Sequence, residues 1–255
     1  MHTNDGGQYA DAVAALGDRA YEPAGDHYSR AAWSVLAQPR DDRDPFAADN
    51  RGAVGDGLRH LLTATLAYRV AGQDRRASRR GVEGISVAND LADTMATPLQ
   101  AACFKECVAD FRAAAGLDDV AAAYGTAADA YRDAVDESTQ PQAVATTPLF
   151  EAAAEPIKQL ARTLDNGEIA IEWGDLHGAD PAAPGDFLAH RAEFKQQRFE
   201  RLVDGCVTEG FLAAPRGTTE YATDHHRCPH CDSRDVNWVA DSVLCLRCSR
   251  PTDPQ

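Results

Sequence analysis

A chain of 255 residues with 25 basic and 40 acidic side chains carries a formal charge of −15, with a pI near 4.8. That length holds one large domain or two smaller ones with ample core, and that charge makes a polyanion a poor default partner. No apolar run approaches the roughly 20 residues that cross a bilayer, and residues 1–5 have neither the basic start nor the apolar stretch of a secretion signal, so no membrane contact is expected.

Residues 1–136 read as one helix after another. Asp11 opens the first, with Ala12, Val13, Ala15 and Leu16 at helical spacing. Glu22-Pro23 suits the first turn of a second, where proline is tolerated; Tyr28, Ala31, Ala32, Val35 and Leu36 lie along it, and it stops before Pro39. A loop is predicted over 41–50. The third helix takes 55–70 and ends at Gly72, and the fourth takes 74–92. A fifth follows Pro98 and ends at Gly116, and a sixth takes 117–135. Residues 137–147, with Ser138, Thr139, Pro141, Thr146 and Thr147, read as a linker. Pro148 starts a further helix to about Leu164, and Asn166-Gly167 is a turn. Alternation at 168–173 marks a short strand or an extended segment laid on the helices. After a loop at 175–185, Asp186 is placed to cap a long helix whose buried face is Phe187, His190, Phe194, Leu202, Val203 and Cys206. The expected fold is mainly α. Antiparallel helical hairpins, as a repeat-like array or a bundle, fill 1–136 and 148–212, and a small module occupies 222–250.

That module carries the strongest motif in the chain. Cys228-Pro-His-Cys231 and Cys245-Leu-Arg-Cys248 are two Cys-x-x-Cys knuckles separated by thirteen residues. Each turns tightly enough to aim two sulfurs at one point, so together they make a four-thiolate site for a tetrahedral Zn2+. The residues around Ala240-Asp241 read as a hairpin joining them. The pattern resembles a zinc ribbon. Four cysteines leave zinc no open position, which points to a structural ion holding together about thirty residues too small to fold alone. A redox dithiol needs only one such motif, at a helix start in a βαβ setting. His225, His226 and His230 crowd the first knuckle and are expected to be exposed or to lie beyond the ligands. Thiols kept reduced imply a cytoplasmic protein.

Tyr21-x-x-Ala24-Gly25-Asp26-x-Tyr28-x-x-Ala31 matches Tyr124-x-x-Ala127-Ala128-Asp129-x-Tyr131-x-x-Ala134, 103 residues on, or about three units of a 34-residue repeat. With Ala15-Leu16-Gly17-Asp18 before the first copy, this resembles tetratricopeptide or SNAP-like helical hairpins over roughly the first half of the chain. An irregular Ala-rich bundle is the alternative. The acid is mostly Asp and the only lysines are Lys105, Lys158 and Lys195, which resembles the surface of a haloarchaeal, salt-in protein, where short carboxylates stay hydrated and their repulsion is screened. Residues 191–255 carry 9 basic and 10 acidic side chains, against 16 and 30 before them, so the C-terminal part is the contact surface least burdened by acid.

Other residues invite a chemical reading and are assigned plainer roles. Cys103 and Cys107 share a helix face without a His or Cys to complete a site, and with Cys206 they are expected in the core. Arg75, Arg76, Arg79 and Arg80 are expected to pair with carboxylates, and His60 and His177 to be hydrogen-bonded. No nucleophilic triad, phosphate loop or His-Glu-x-x-His is present, and no catalytic residue is assigned. The expectation is a non-enzymatic adaptor whose helices bind a protein partner. The alternative is a nucleic-acid-associated factor that uses the ribbon, with Trp238 stacking on a base.

Overall fold

The computed structural model describes residues 7–37, 51–95 and 97–255. The loop expected at 41–50 and the first five residues lie outside them; the second helix ends at Leu36, before Pro39. Ten helices are present among the described residues: α1 Gln8–Gly17, α2 Tyr21–Leu36, α3 Arg51–Val70, α4 Asp74–Met95, α5 Pro98–Ala115, α6 Val120–Asp133, α7 Pro141–Ala145, α8 Pro148–Leu164, α9 Trp173–Leu176 and α10 Pro184–Glu209. A small C-terminal sheet region follows, with β1 Thr218–Glu220, β2 His226–Arg227, β3 Val236–Val239, β4 Ser242–Cys245 and β5 Asp253–Pro254.

Local chemistry sets the helix ends. The Thr97 hydroxyl accepts from the Gln100 N–H and the Gln100 side chain accepts from the Thr97 N–H, a reciprocal cap completed by Pro98 in the first turn. Gly116 ends α5 at φ +65°, where a side chain would be strained. In α10 the cap position falls on Ala183, not Asp186. Pro184 opens the helix, which moves Asp186 into the first turn, where it accepts from Arg132 at 2.8 Å.

From α1 to α6 each helix packs on the next. The chain then folds back. α8 lies on α3, and α10 lies against α6 and α8 and reaches α5 and α3. Residues 61–68 of α3 are all buried in consequence. A helix covered on every side belongs in the middle of a bundle. An open array would leave the faces of α3 and α6 for a partner; here the chain's own α8 and α10 occupy them. Residues 137–147, expected as a linker, hold α7, with Pro141 and Ala145 buried. Helices on both sides of it share one hydrophobic core. Residues 168–172 pair with no strand among the described residues; Ile171 is buried against the helices while Ile169 is exposed.

Tyr21, Tyr28, Tyr124 and Tyr131 all point inward, with Ala24, Ala31 and Ala127 fully buried beside them. Their hydroxyls meet different surroundings. Tyr28 Oη is buried without a hydrogen-bond partner among the described residues, whereas Tyr131 Oη donates to Glu106 at 2.7 Å.

Candidate metal centre and its surroundings

The two knuckles have one construction. The Cys228 N–H donates to Ser233 O (2.9 Å) and the Asp232 N–H to Cys228 O (3.0 Å); the Cys245 N–H donates to Arg250 O (2.7 Å) and the Ser249 N–H to Cys245 O (2.9 Å). The residue after each second cysteine is left-handed, Asp232 at φ 64° and Ser249 at φ 55°. β3 and β4 form an antiparallel hairpin through Ala240 and Asp241, with Val236 opposite Cys245, and this hairpin carries one knuckle to the other. β1 adds to the free side of β3, and β2 pairs with β5.

The sulfurs converge. Cys228 Sγ is 3.5 Å from Cys248 Sγ, Cys231 Sγ is 3.5 Å from Cys245 Sγ, and all four lie within 4.8 Å of one another. These are not disulfides, whose bond is about 2.05 Å, and all four thiols are free. Four metal–sulfur bonds of about 2.3 Å in a tetrahedron put the sulfurs about 3.8 Å apart, so this cluster can hold a metal ion with little movement. Electrostatics agree. Hydrogen bonds from the Cys248 thiol and from the N–H groups of Cys248 and Arg247 outweigh burial and hold Cys245 down to about 5. Burial pushes Cys231 up to about 11, and Cys245 pushes Cys248 higher still. Adjacent thiols do not ionise together unaided; a dication among them removes the obstacle.

The histidines stay outside the cluster. His225 and His230 are exposed, and His226 meets Thr252 Oγ1 at 3.2 Å and the edge of Trp238 at 5.1 Å between ring centres. Trp238 is 41% exposed on β3.

The module is not tethered loosely. Val239 and Leu244 pack with Ala214 on Val13 of α1. The Ala214 N–H donates to Ser249 Oγ (3.0 Å), and the connector is tied to α8 by Gln159 Nε2 donating to Ala213 O (2.6 Å) and the Ala213 N–H to Thr163 Oγ1 (2.9 Å). Arg247 reaches Glu168 at 3.2 Å.

Of the remaining candidates, Cys103, Cys107 and Cys206 are buried, and burial holds Cys206 up at about 12. Arg76 pairs with Glu22 and Asp26 of α2, and Arg79 and Arg80 both pair with Glu83. His60 is buried in the core beside Tyr9 and Tyr28. His177 is stacked on Trp173.

A buried polar cluster was not anticipated from the sequence. Glu106 and Asp110 of α5 face Arg191 and Lys195 of α10, all four at 3% exposure or less. Arg191 donates to both Glu106 oxygens (2.8 and 2.9 Å) and to Phe150 O, while Lys195 Nζ lies 2.6 Å from Asp110 and 2.8 Å from Glu106. Tyr131 and Tyr124 donate to Glu106 and Asp110. Burial raises the Glu106 pKa, but Arg191 and Lys195 outweigh it and hold the carboxyl down to about 2. At Asp110 burial wins over Lys195 and, with the charge of Glu106, pushes it up to about 6. The sequence signal is the spacing on the expected buried face of α10: Phe187, Arg191, Phe194 and Lys195 follow i, i+4, i+7, i+8.

No family model, no curated protein and no solved structure matches this chain.

Proposed function

We propose that this protein is a non-enzymatic adaptor in which Cys228, Cys231, Cys245 and Cys248 hold a structural Zn2+ and the ribbon so formed presents a protein-binding face. The observation that carries this reading is the closed donor set. Four thiols occupy every position of a tetrahedral ion, so the ion has no site for substrate or water and serves folding. Bound zinc would supply the ribbon's folding energy, and the chain's residues do the rest. β1, β3 and β4 display Trp238, while the inner face anchors on α1.

A second reading, a nucleic-acid-associated factor that uses the ribbon, draws on the same exposed Trp238 and on the near-neutral C-terminal part. The arginines weigh against it. Arg227 pairs with Asp232, Arg234 with Asp224, and Arg247 with Asp235 and Glu168, which leaves less charge for phosphates. Placing a benzophenone photo-crosslinker at position 238, with position 82 on α4 as the exposed control, separates the two in extract of the native host. Discrete adducts that resist nuclease and are absent from the control support the adaptor. Adducts removed by nuclease support the second reading, and no adduct at 238 sinks both.

A further inference from the structure

A cavity of about 640 Å³ opens between α8, the extended segment leading into α9, and the connector at Arg216 and Gly217. Its size is that of a small-molecule site. Ile169, Ile171, Trp173 and Ala154 give it apolar walls. Three of its polar side chains are poorly partnered among the described residues. Arg162 is 6% exposed; among the described residues its guanidinium has no carboxylate within ion-pair distance and one hydrogen bond, to Ala214 O, 3.5 Å long. Arg216 Nη1 is buried with no partner, although Nη2 donates to Tyr221 Oη at 2.9 Å. His177 Nε2 is buried without a partner as well.

Each of these is costly as it stands. A buried guanidinium without an anion forfeits its hydration and gains little in return. Burial holds Arg162 down to about 10; Glu155 opposes this and Arg216 adds to it. Of the other two cations of the lining, Lys158 is 3.0 Å from Glu155, so Glu155 is engaged there, and Arg191 is paired with Glu106. Glu151 and Glu172, the other carboxylates of the lining, are both exposed. His177 Nδ1 is 3.0 Å from the Trp173 carbonyl. An oxygen there can only accept, so the proton sits on Nδ1 and Nε2 is left as the unpartnered acceptor of a ring that lines the cavity.

We propose that this cavity binds a small organic anion, a carboxylate or phosphate ester with an apolar body, whose anionic group lies between Arg162 and Arg216 and whose body rests on Ile169 and Trp173. A hydroxyl or N–H on the ligand would donate to His177 Nε2. The site goes beyond the adaptor reading and stands without it. It also sits where it can matter to the ribbon, since Arg216 and Gly217 run directly into β1.

The test uses the full-length, metal-loaded protein at one fixed KCl concentration. Phenylacetate, 4-hydroxyphenylacetate, phenyl phosphate and neutral phenylacetamide are titrated by calorimetry and thermal shift. At least one anion is expected to bind once per chain and raise the melting temperature, and phenylacetamide is expected not to bind. The stronger of the carboxylate and phosphate arms identifies the anionic group. The para hydroxyl reports on His177. Arg162→Gln and Arg216→Gln should each weaken the anion about tenfold or more, the effect of losing a hydrogen bond to a charged group, while exposed Arg75→Gln should not. Without ligand, Arg162→Gln should melt no lower than wild type, because it removes a buried unpaired charge. Should Arg162→Gln fold poorly, Arg216→Gln alone decides. Absence of saturable binding by all three anions, equal binding of phenylacetamide, or full affinity in Arg216→Gln overturns the proposal.

Discussion

Lys195 is fully buried; its ammonium donates to Asp110 Oδ2 at 2.6 Å and Ala153 O at 2.7 Å and forms an ion pair with Glu106 Oε1 at 2.8 Å. With Arg191 on Glu106, two cations balance two carboxylates inside the bundle. Breaking such a set is worse than never having built it, because the remaining charge stays in the core uncompensated. Lys195→Met should therefore cost about 3–5 kcal/mol, read as a lower urea midpoint at unchanged slope. Lys195→Met with Asp110→Asn should recover much of that loss. Glu106 supplies the pH dependence. Its folded pKa, about 2, lies below the ordinary 4.5, so its contribution is fully present above pH 4.5 and is lost as pH falls through 2. The penalty of Glu106→Gln should accordingly be largest at neutral pH and shrink between pH 4.5 and 2, followed by helical circular dichroism. A penalty independent of pH would mean that Glu106 acts by shape alone.

At the scale of elements, the turn after α8 shows how two modules are fitted together. Asn166-Gly167 reads from sequence as a turn, and Gly167 does adopt φ +80°. Its second constraint comes from 79 residues further on: a Cβ there would overlap the carbonyl of Leu246 in the second knuckle. Gly167→Ala should cost more than the roughly 1 kcal/mol of a strained turn residue, because it also pushes the ribbon off Glu168 and the connector. The expected result is faster amide exchange in β4 and a lower melting temperature with zinc still bound. If the ribbon amides keep their protection, the contact is not what holds the module down. A similar close approach explains α4. A Cβ at Gly84 would meet the Phe111 ring, so Gly84→Ala should destabilise the α4–α5 pair by about 1–3 kcal/mol through overpacking, despite the better helix propensity of alanine.

Metal and solvent act on the whole molecule. Cys231→Ser should release the ion and unfold the ribbon. Because Val239 and Leu244 bury Val13 of α1, the helices should keep most of their circular dichroism at 25 °C yet melt several degrees lower. Unchanged melting would show the docking to be energetically idle; global loss of helix would make the ribbon part of the main core. Charge predicts a separate response. At −15 the chain repels itself across a Debye length of about 30 Å at 0.01 M salt, so the helical part should gain stability as KCl rises well past the level that screens single ion pairs. The near-neutral ribbon should gain less. Equal stability of the helices in dilute buffer and in molar KCl would remove the halophilic reading.

The sequence alone determined whatever depends on neighbours along the chain. Cys228, Cys231, Cys245 and Cys248 were legible as one site because a knuckle needs only four consecutive residues. The turn at Ala240-Asp241 and the bounds of α8 were legible because hydrogen bonds and caps act within a turn of helix. Tertiary structure alone decided which apolar stripe meets which. It wrapped α8 and α10 around α3, joined the helices on either side of α7 into one core, and set Glu106 and Asp110 opposite Arg191 and Lys195, 85 residues away. Charges at helical spacing are ordinarily solvated, and only a partner of opposite sign brought from a distant helix makes their burial tolerable. That pairing lies between helices, where periodicity within a single helix carries no information.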